Sequence, residues 1–517
     1  MNVNCGFMKK VWGFGLNIGS KYWFLFCFFL GFFVRLVPEV LSYPCPIGFD
    51  TVEYAFRLEE GVIWFHWSRF FTETWLLYAI LIPLYRVFGG NPFLFLKVIS
   101  PVLYGLNSAG VYFFARRVLG WGVGKSFVAS FVFCFGLGSL RISWDLYRNI
   151  LGMGLLLFTL PLVLDVEAGK GRLLFVFLSL LIVFSHEYAA LTLLFVVAWM
   201  VLKRLGKPGK EGGLRLLAAV FPSLSVFLVG VYLRMFPIRY YVETNVVYVR
   251  DMVVPHPFGL FFLVDYLGVS TPVQRYATYF ELVLSVLFLF VLLYGVWLPL
   301  VLLGFFRDRI LDVWVVLLLV GSFGGLIMPF CALDLWNRWM FMLVYPFSFY
   351  AANGVEKVFV KFHFKWLRVL VCVDVGLVVL FGVLFMVLPL EHAVFYSGWT
   401  CSYFPSCMLQ GTVPLEDVGG VVDCFVWLNG NMGVGSCVLV HHCFLWWAKL
   451  YLDEDHMIVY FSMDLSRGLE VALEKGFGMV YLVWWNVDIG WYDYIEVPEG
   501  FRPVYGSGRI SVYVYCQ

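Results

Sequence analysis

Three short polar segments interrupt a mostly apolar chain and carry the side chains best suited to chemistry. The first reads GFDTVEYAFR, in which Asp50 and Glu53 stand three residues apart and would share one face of a helix, beside Tyr54 and Arg57. A positioned carboxylate can accept a proton from a hydroxyl group. Two prolines and a glycine restrict the chain direction just before Asp50 and favour such positioning. The alternative is an exposed loop with ordinary solvated carboxylates.

The second and third segments contribute arginines. In LRISWDLYRNILG, Arg141, Asp145 and Arg148 are separated by four and three residues. Two guanidinium groups on one face suit a phosphate, whereas a helix start held by salt bridges explains the same spacing. In DLWNRWM, Arg338 begins a late apolar segment, where it either binds an anion or extends its charge toward water.

A fourth polar site, His186 and Glu187 in VFSHEYAAL, separates two apolar segments. It favours a capping or interface histidine over a ligand contact. The paired CxxC or HxxxH spacings of a zinc site are missing from the sequence, as is a glycine fingerprint for a nucleotide. The sequence therefore predicts no metal site and no cofactor.

The composition decides the class of protein in which these residues must work. Of the 517 residues, 62% are hydrophobic and 14% are charged, whereas soluble proteins carry roughly 25% charged residues. So apolar a chain belongs in lipid, which excludes a cytosolic enzyme, a disordered chain and a secreted disulfide scaffold. The net charge of +2 and the lack of a long basic block predict no nucleic-acid partner.

Apolar runs long enough to cross a bilayer predict a multi-pass α-helical membrane protein with about eleven transmembrane helices. The predicted spans are 22–41, 93–115, 126–140, 149–165, 172–185, 188–202, 216–235, 280–306, 311–331, 339–353 and 367–390.

The distribution of basic residues predicts the orientation of these spans. With a cytoplasmic N-terminus, the short cytoplasmic segments hold more than half of the 36 Lys and Arg residues, as the positive-inside rule requires. Eleven spans then leave the C-terminus outside, and the larger external loops are 42–92 and 236–279. Because a span at 72–90 would invert every later loop, we predict an amphipathic helix at the outer interface there.

The tail changes character after the last span. Residues 391–517 alternate helical and strand patterns, which predicts a small extracytoplasmic α/β domain with a largely parallel sheet. The predicted organisation is thus a transmembrane module at 1–390 followed by this soluble domain.

The order of these features resembles the GT-C membrane glycosyltransferases, a group that includes protein O-mannosyltransferases, aminoarabinose transferases and oligosaccharyltransferase catalytic subunits. The resemblance rests on GFDTVEYAFR after the first span, RISWDLYR in the second external loop, NRWMFMLVYPFSFYAANG late in the chain, and an external C-terminal domain. Each motif is short, and their shared order and sidedness carry the resemblance.

The resemblance implies transfer of a sugar from a polyprenyl-phosphate donor to a lipid, glycan or protein acceptor at the outer face of the cell membrane. Asp50 matches the catalytic carboxylate, with Glu53 nearby, and Arg141 and Arg338 match the phosphate ligands, with Asp145 and Arg148 beside them. Tyr54, Arg57, His186 and Glu187 are candidate contacts for the sugar or the acceptor, with a capping or interface role as the favoured alternative for His186.

Three departures from the group bear on this expectation. O-mannosyltransferases place Asp and Glu side by side, whereas here Glu53 lies three residues after Asp50. No DxD motif follows Asp145, and VLVHHCFLWW in the tail lacks the WWDYG motif of oligosaccharyltransferases. The resemblance therefore favours a metal-independent enzyme that transfers a single sugar with inversion. A transporter or flippase for lipid-linked substrates is the alternative, and a non-catalytic receptor or scaffold is a third.

Overall fold

The computed structural model describes residues 18–64, 69–205, 211–235, 245–249, 263–264, 279–327, 332–333, 336–361, 364–387, 411–461, 464–489 and 496–516. Helices dominate up to residue 387, and strands of the C-terminal region form a sheet. The predicted boundary at 390/391 and most of the predicted loop 236–279 lie outside the described residues.

Four helices build the first part of the chain: α1 (Ile18–Leu41), α2 (Thr51–Glu60), α3 (Leu76–Phe88) and α4 (Pro92–Arg117). The Asn91 side chain accepts hydrogen bonds from the first turn of α4, whose first residue is proline. A Cβ on Gly105 would stand 2.7 Å from the Phe28 carbonyl oxygen, so this glycine lets α1 and α4 pack closely.

Twelve more helices complete the helical part of the chain among the described residues. They are α5 (Val123–Phe135), α6 (Leu137–Asp145), α7 (Tyr147–Glu167), α8 (Arg172–Ser185), α9 (Glu187–Leu205), α10 (Glu211–Met235), α11 (Tyr279–Tyr294), α12 (Leu298–Gly304), α13 (Arg309–Ile327), α14 (Trp336–Met342), α15 (Val344–Lys361) and α16 (Lys365–Val387).

By length and composition, six described helices can cross a membrane: α1, α4, α7, α10, α13 and α16. Counting each bent pair as one span raises this number to eight, with α5 and α6 bent by 61° and α11 and α12 by 77°. The prediction of a multi-pass helical membrane protein is confirmed, and the structure supports six to eight spans for it.

The bends explain why hydropathy alone describes these segments incompletely. The predicted span 126–140 is divided at Gly136, whose extended backbone (φ −70°, ψ 130°) ends α5. Likewise 280–306 consists of α11 and α12. A helix predicted within 72–90 is present as α3, which buries Leu77 and Leu81 and exposes Val87. Its location at the outer interface stays a prediction.

The C-terminal region contains α17 (Val418–Asn431), α18 (Leu445–Tyr451) and α19 (Leu465–Glu474) beside a six-stranded sheet. Its strands are β1 (Val246–Tyr248), β4 (Ser436–His441), β5 (Met457–Phe461), β6 (Met479–Trp485), β7 (Phe501–Ser507) and β8 (Ile510–Cys516), and β2 (Leu263–Val264) and β3 (Ala332–Leu333) pair separately. The order is β1-β5-β4-β6-β8-β7, with the first four strands parallel and the last two antiparallel to their neighbours.

Two strands of this sheet were not predicted. β7 contains Pro503, which a strand tolerates at a sheet edge but which weakens the sequence signal. β1 is three residues long and pairs with β5, more than two hundred residues later, so no local pattern announces it. The four strands that the patterns of the tail predict are present: β4, β5 and β6 form the parallel part, and the terminal strand β8 runs antiparallel to β6.

The sheet region packs directly on the helical part through aromatic rings. Phe56 of α2 lies 5.7 Å from Trp446 of α18, and Phe93 of α4 lies 5.8 Å from Trp447, measured between ring centroids. Phe49 stacks on His442, just beyond β4, at 6.2 Å. The residue before Asp50 therefore touches the C-terminal region.

Candidate functional site

Asp50 occupies the N-cap position of α2, at the end of the loop that follows α1. Its side chain makes no capping hydrogen bond, so the carboxylate is not committed to its own helix. The Thr51 hydroxyl donates to the Ile47 carbonyl at 2.6 Å, and the Phe49 N–H donates to Asp145 Oδ2 at 2.6 Å. These bonds fix the backbone on both sides of Asp50.

Gly48 allows the loop to approach α6 this closely. Its φ of +103° lies where other L-residues are strained, and a Cβ there would meet Asp145 Cβ at 2.6 Å and the Trp144 carbonyl oxygen at 2.6 Å. A larger residue at this position would push the Asp50 loop away from α6.

Asp145 and Arg141 form an ion pair within α6 and lie in the protein interior. Arg141 Nη1 lies 2.6 Å from Asp145 Oδ1, and the two side chains are 4% and 1% exposed. This is the salt-bridged helix that their spacing of four residues allows. Asp145 supports the Asp50 loop through its bond from the Phe49 N–H, Arg141 pairs with Asp145, and neither residue lines the cavity described next.

A cavity of about 150 Å³ opens beside Asp50. Its walls come from the loops and helix ends around α2, α3, α7, α9 and α14. The lining residues are Asp50, Tyr54, Thr74, Leu146, Arg148, Asn149, His186, Glu187, Tyr188 and Arg338. Thus the structure brings Asp50, Tyr54, Arg148, His186, Glu187 and Arg338 together, while Glu53, Arg57, Arg141 and Asp145 lie behind the walls.

Asp50 faces a cation across this cavity. Arg338 Nη2 lies 3.9 Å from Asp50 Oδ2, and the two side chains are 27% and 22% exposed. Burial raises the pKa of the Asp50 carboxyl to about 6, and the negative charge of Asp145 adds to this rise, while Arg338 opposes it. The carboxylate is thus ionised at neutral pH and able to accept a proton.

Arg148 supplies a second cation from the first turn of α7. Its Nη1 donates to the Thr74 hydroxyl at 3.4 Å, and the Ser185 hydroxyl donates to its backbone carbonyl at 3.2 Å. Tyr54 stacks on Tyr147 at 4.9 Å, and burial raises the pKa of Tyr54 to about 12. The phenol therefore stays protonated beside the two arginines and the carboxylate.

Glu53 and Arg57 connect α2 to the segment before α3. Arg57 Nη2 lies 3.2 Å from Glu53 Oε1, and Arg57 Nη1 lies 3.6 Å from Glu73 Oε2. The Arg57 guanidinium also stands over the Tyr78 ring at 4.4 Å. Their charges are paired with each other rather than directed into the cavity.

The junction of α8 and α9 closes another side of the cavity. Burial lowers the pKa of His186 well below its usual range, and Arg338 and Arg148 lower it further, so this imidazole is neutral. The Tyr188 N–H donates to His186 Nδ1 at 3.2 Å. Glu187 forms an ion pair with Arg234 of α10 at 2.5 Å, which neutralises its charge.

Sequence reasoning missed four lining residues: Thr74, Leu146, Asn149 and Tyr188. Tyr188 stacks on Trp339 at 4.6 Å and thereby packs beside Arg338. Asn149 follows Arg148 at the start of an apolar helix, and a polar residue at that place is the signal that would have found it.

A buried ionic network, also missed, lies behind the loop that carries Asp50. Glu39 of α1 receives Arg35 Nη2 at 2.7 Å on Oε1 and Lys97 Nζ at 3.0 Å on Oε2. Ser100 donates to Glu39 Oε1 at 2.7 Å, and Arg35 Nε donates to the Ser143 carbonyl of α6 at 3.2 Å. Charges inside apolar spans were the available signal.

One group among the described residues has the geometry to hold a metal ion. It comprises Asp453, Asp455 and His456, before β5, and all three lie outside the cavity lining. Exposed acidic groups of this kind are common without an ion, so the chemistry that we derive involves the cavity alone.

The cavity therefore combines a carboxylate that can accept a proton with two guanidinium groups that can bind an anion. Such a set fits a phosphate-bearing substrate and a proton transfer beside it. No protein-family model matches the chain, and no curated protein matches its sequence, so the assignment of function rests on the residues and their geometry.

Proposed function

We propose that the protein is an integral-membrane glycosyltransferase of the GT-C type. It would transfer a single sugar from a polyprenyl-phosphate donor to an acceptor hydroxyl at the outer face of the cell membrane. The observation that carries this proposal is the cavity in which Asp50, Arg148 and Arg338, from three separate segments, meet. A membrane-embedded chain gives a lipid-linked donor direct access to such a cavity.

In this proposal Arg148 and Arg338 bind the donor phosphate. Guanidinium groups pair with phosphate oxygens through charge-assisted hydrogen bonds, and the phosphate is also the leaving group. Because negative charge grows on its bridging oxygen as the bond to the sugar breaks, the two arginines stabilise the transition state more than the ground state. Arg148 takes the role that the resemblance gives to Arg141, since Arg141 is buried with Asp145.

Asp50 acts as the general base. Its carboxylate accepts the proton of the acceptor hydroxyl while the hydroxyl oxygen forms a bond to the anomeric carbon. The bond from this carbon to the phosphate oxygen breaks, and its electron pair leaves with the phosphate. Attack opposite to the leaving group inverts the anomeric centre. A pKa of about 6 keeps Asp50 ionised but basic enough near neutral pH.

The proposal includes a topology. Counting α8, α9 and the pair α14 and α15 with the six long helices and the two bent pairs gives eleven spans. With basic loops inside, the cavity and the C-terminal region then face outward. Glu53 and Arg57 hold α2 in place, and no metal takes part.

A transporter of lipid-linked substrates is the second candidate, and one observation favours it. Transporters use discontinuous helices that meet at a central site. Here the break between α5 and α6 lies against the break between α11 and α12. A Cβ on Gly136, at the first break, would stand 2.6 Å from Cζ2 of Trp297, at the second.

The test is transfer of radiolabelled sugar from a panel of synthetic polyprenyl-phosphate sugars in membranes containing the full chain. We expect turnover with at least one donor, its loss in Asp50→Asn, and no effect of EDTA. A parallel arm measures movement of the same lipids across sealed vesicles. Movement without turnover from any donor would replace the glycosyltransferase by the transporter, and turnover that Asp50→Asn leaves unchanged would remove Asp50 as the base.

A further inference from the structure

Asn149 differs from other buried amides of the helical part. It lies in the first turn of α7, is 1% exposed and lines the cavity. Neither its Oδ1 nor its Nδ2 has a hydrogen-bond partner among the residues that the structure describes. Because buried polar groups in native proteins are nearly always paired, this amide, beside a cavity, is available to a partner from outside the chain.

Asn107 shows how the same fold treats an amide that serves packing alone. It is equally buried, at 1% exposed, and also lies against α7. Its Nδ2 donates to the carbonyls of Leu103 and Ile150, both at 2.8 Å, and its Oδ1 accepts from Tyr345 at 2.8 Å. All hydrogen-bonding groups of the Asn107 amide that are described are thus paired within the protein, and the unpaired amide belongs to a residue that lines the cavity.

The chemistry of an amide limits the ligand group that can satisfy it. The group must accept from Nδ2 and donate to Oδ1. A phosphate without a proton only accepts, and a polyprenyl chain does neither. Two neighbouring hydroxyl groups can do both, because each hydroxyl donates and accepts. Sugar rings carry such pairs.

The size and charge of the cavity further restrict which ligand can place hydroxyl groups beside Asn149. A volume of about 150 Å³ is below the roughly 300–1,000 Å³ of sites for drug-sized ligands and suits one ring rather than an oligosaccharide. Arg148 and Arg338 are available for the phosphate, which leaves Asn149 for the ring attached to it.

We propose that Asn149 is a specificity residue that binds neighbouring hydroxyl groups on the single sugar ring of the donor. This inference rests on the proposed function and deepens it. It states that the protein distinguishes a glycosylated polyprenyl phosphate from the bare polyprenyl phosphate through Asn149.

The test compares the binding of two synthetic lipids to the purified full chain in nanodiscs, without acceptor. One lipid is the polyprenyl-phosphate sugar that supports turnover, and the other is the same polyprenyl phosphate without sugar. We expect wild type to bind the glycosylated lipid more tightly. Asn149→Ala should lower the affinity for the glycosylated lipid about tenfold or more and leave the affinity for the bare lipid unchanged. Arg338→Gln is the matched control and should weaken both lipids.

A deoxy-sugar series separates recognition from a structural role. Wild type should bind the donor less tightly when the ring hydroxyl that contacts Asn149 is replaced by hydrogen. Asn149→Ala should bind the deoxy donor and the complete donor with the same affinity, because it has already lost that contact. Asn149→Ser, which keeps a donor and an acceptor, should recover part of the preference.

Two results would overturn the inference in different ways. If wild type prefers the glycosylated lipid and Asn149→Ala keeps this preference, or weakens both lipids equally, Asn149 does not recognise the sugar and the proposed function stands. If wild type binds neither lipid, the proposed function fails, and the inference fails with it.

Discussion

Two groups of charged side chains lie on either side of the loop that carries Asp50, and they are built differently. In the buried network of Arg35, Glu39 and Lys97, both oxygens of Glu39 are bonded at 2.7–3.0 Å, and the side chains are 9% exposed or less. In the cavity, Asp50 and Arg338 stand 3.9 Å apart and are about a quarter exposed, at 22% and 27%.

The difference separates charges that hold the fold from charges that are available to a substrate. A buried carboxylate that is bonded on both oxygens has no capacity for a ligand, and loss of a partner leaves an uncompensated charge. A loosely paired carboxylate at a cavity keeps its lone pairs for a proton. This contrast predicts that mutations in the two groups affect different properties, activity in the cavity and stability in the network.

The largest effect is expected in the cavity. Asp50→Asn should lower the rate of sugar transfer about 10²- to 10⁴-fold, the usual contribution of a general base, with little change in thermal stability. The rate is measured as turnover of labelled donor by equal amounts of folded wild-type and variant protein. Glu53→Gln is the matched control, since Glu53 is paired with Arg57 behind the wall. An equal loss in both variants would contradict the distinction between them.

The network should respond in the opposite way. Glu39→Gln should destabilise the protein by about 3–5 kcal/mol, because it leaves Arg35 and Lys97 buried without their counter-ion. Unfolding of the purified protein in detergent measures the change. Glu211→Gln removes an exposed pair with Arg215 at 2.8 Å and should cost at most about 1 kcal/mol. Comparable stability of the two variants would show that the network is not structural.

Loss of the cavity cation should weaken donor binding without unfolding the chain. Arg338→Gln should raise the donor KM about 10- to 100-fold, because hydrogen bonds to charged groups contribute about 1.5–3 kcal/mol. It should also lower kcat, because this arginine stabilises the transition state more than the ground state. Steady-state kinetics with the lipid donor provide the measurement. Arg141→Gln is the comparison, since Arg141 is buried with Asp145 outside the cavity lining. If Arg141→Gln changes KM with no loss of stability, the phosphate lies nearer Arg141 than the cavity indicates.

The smallest effect concerns the pH dependence. A general base works when deprotonated, so kcat/KM should fall as the pH drops below about 6, roughly tenfold per unit. Because the Asp145 charge raises the pKa of Asp50, Asp145→Asn should move the midpoint to lower pH by less than about one unit. Asparagine still accepts from the Phe49 N–H. A midpoint that moves upward would contradict this electrostatic coupling.

Much of the fold followed from local patterns. Apolar runs located the helices, because a helix in lipid must be long and apolar. Alternating patterns located β4, β5 and β6, whereas β1 was invisible because its partner β5 is far away in sequence. The bends at α5 and α11 were missed because hydropathy averages over a glycine or proline that turns the chain.

For the site, the residue pattern identified the available side chains, a carboxylate at 50 and arginines at 141, 148 and 338, and the apolar composition gave them a membrane-embedded setting. Tertiary structure alone decided which of these face the cavity. Spacing fixes the angle between two residues on one helix but not the rotation of that helix against its neighbours. That rotation buries Arg141 with Asp145, turns Arg148 and Asn149 toward Asp50, and depends on contacts such as the close approach of Gly48 to α6.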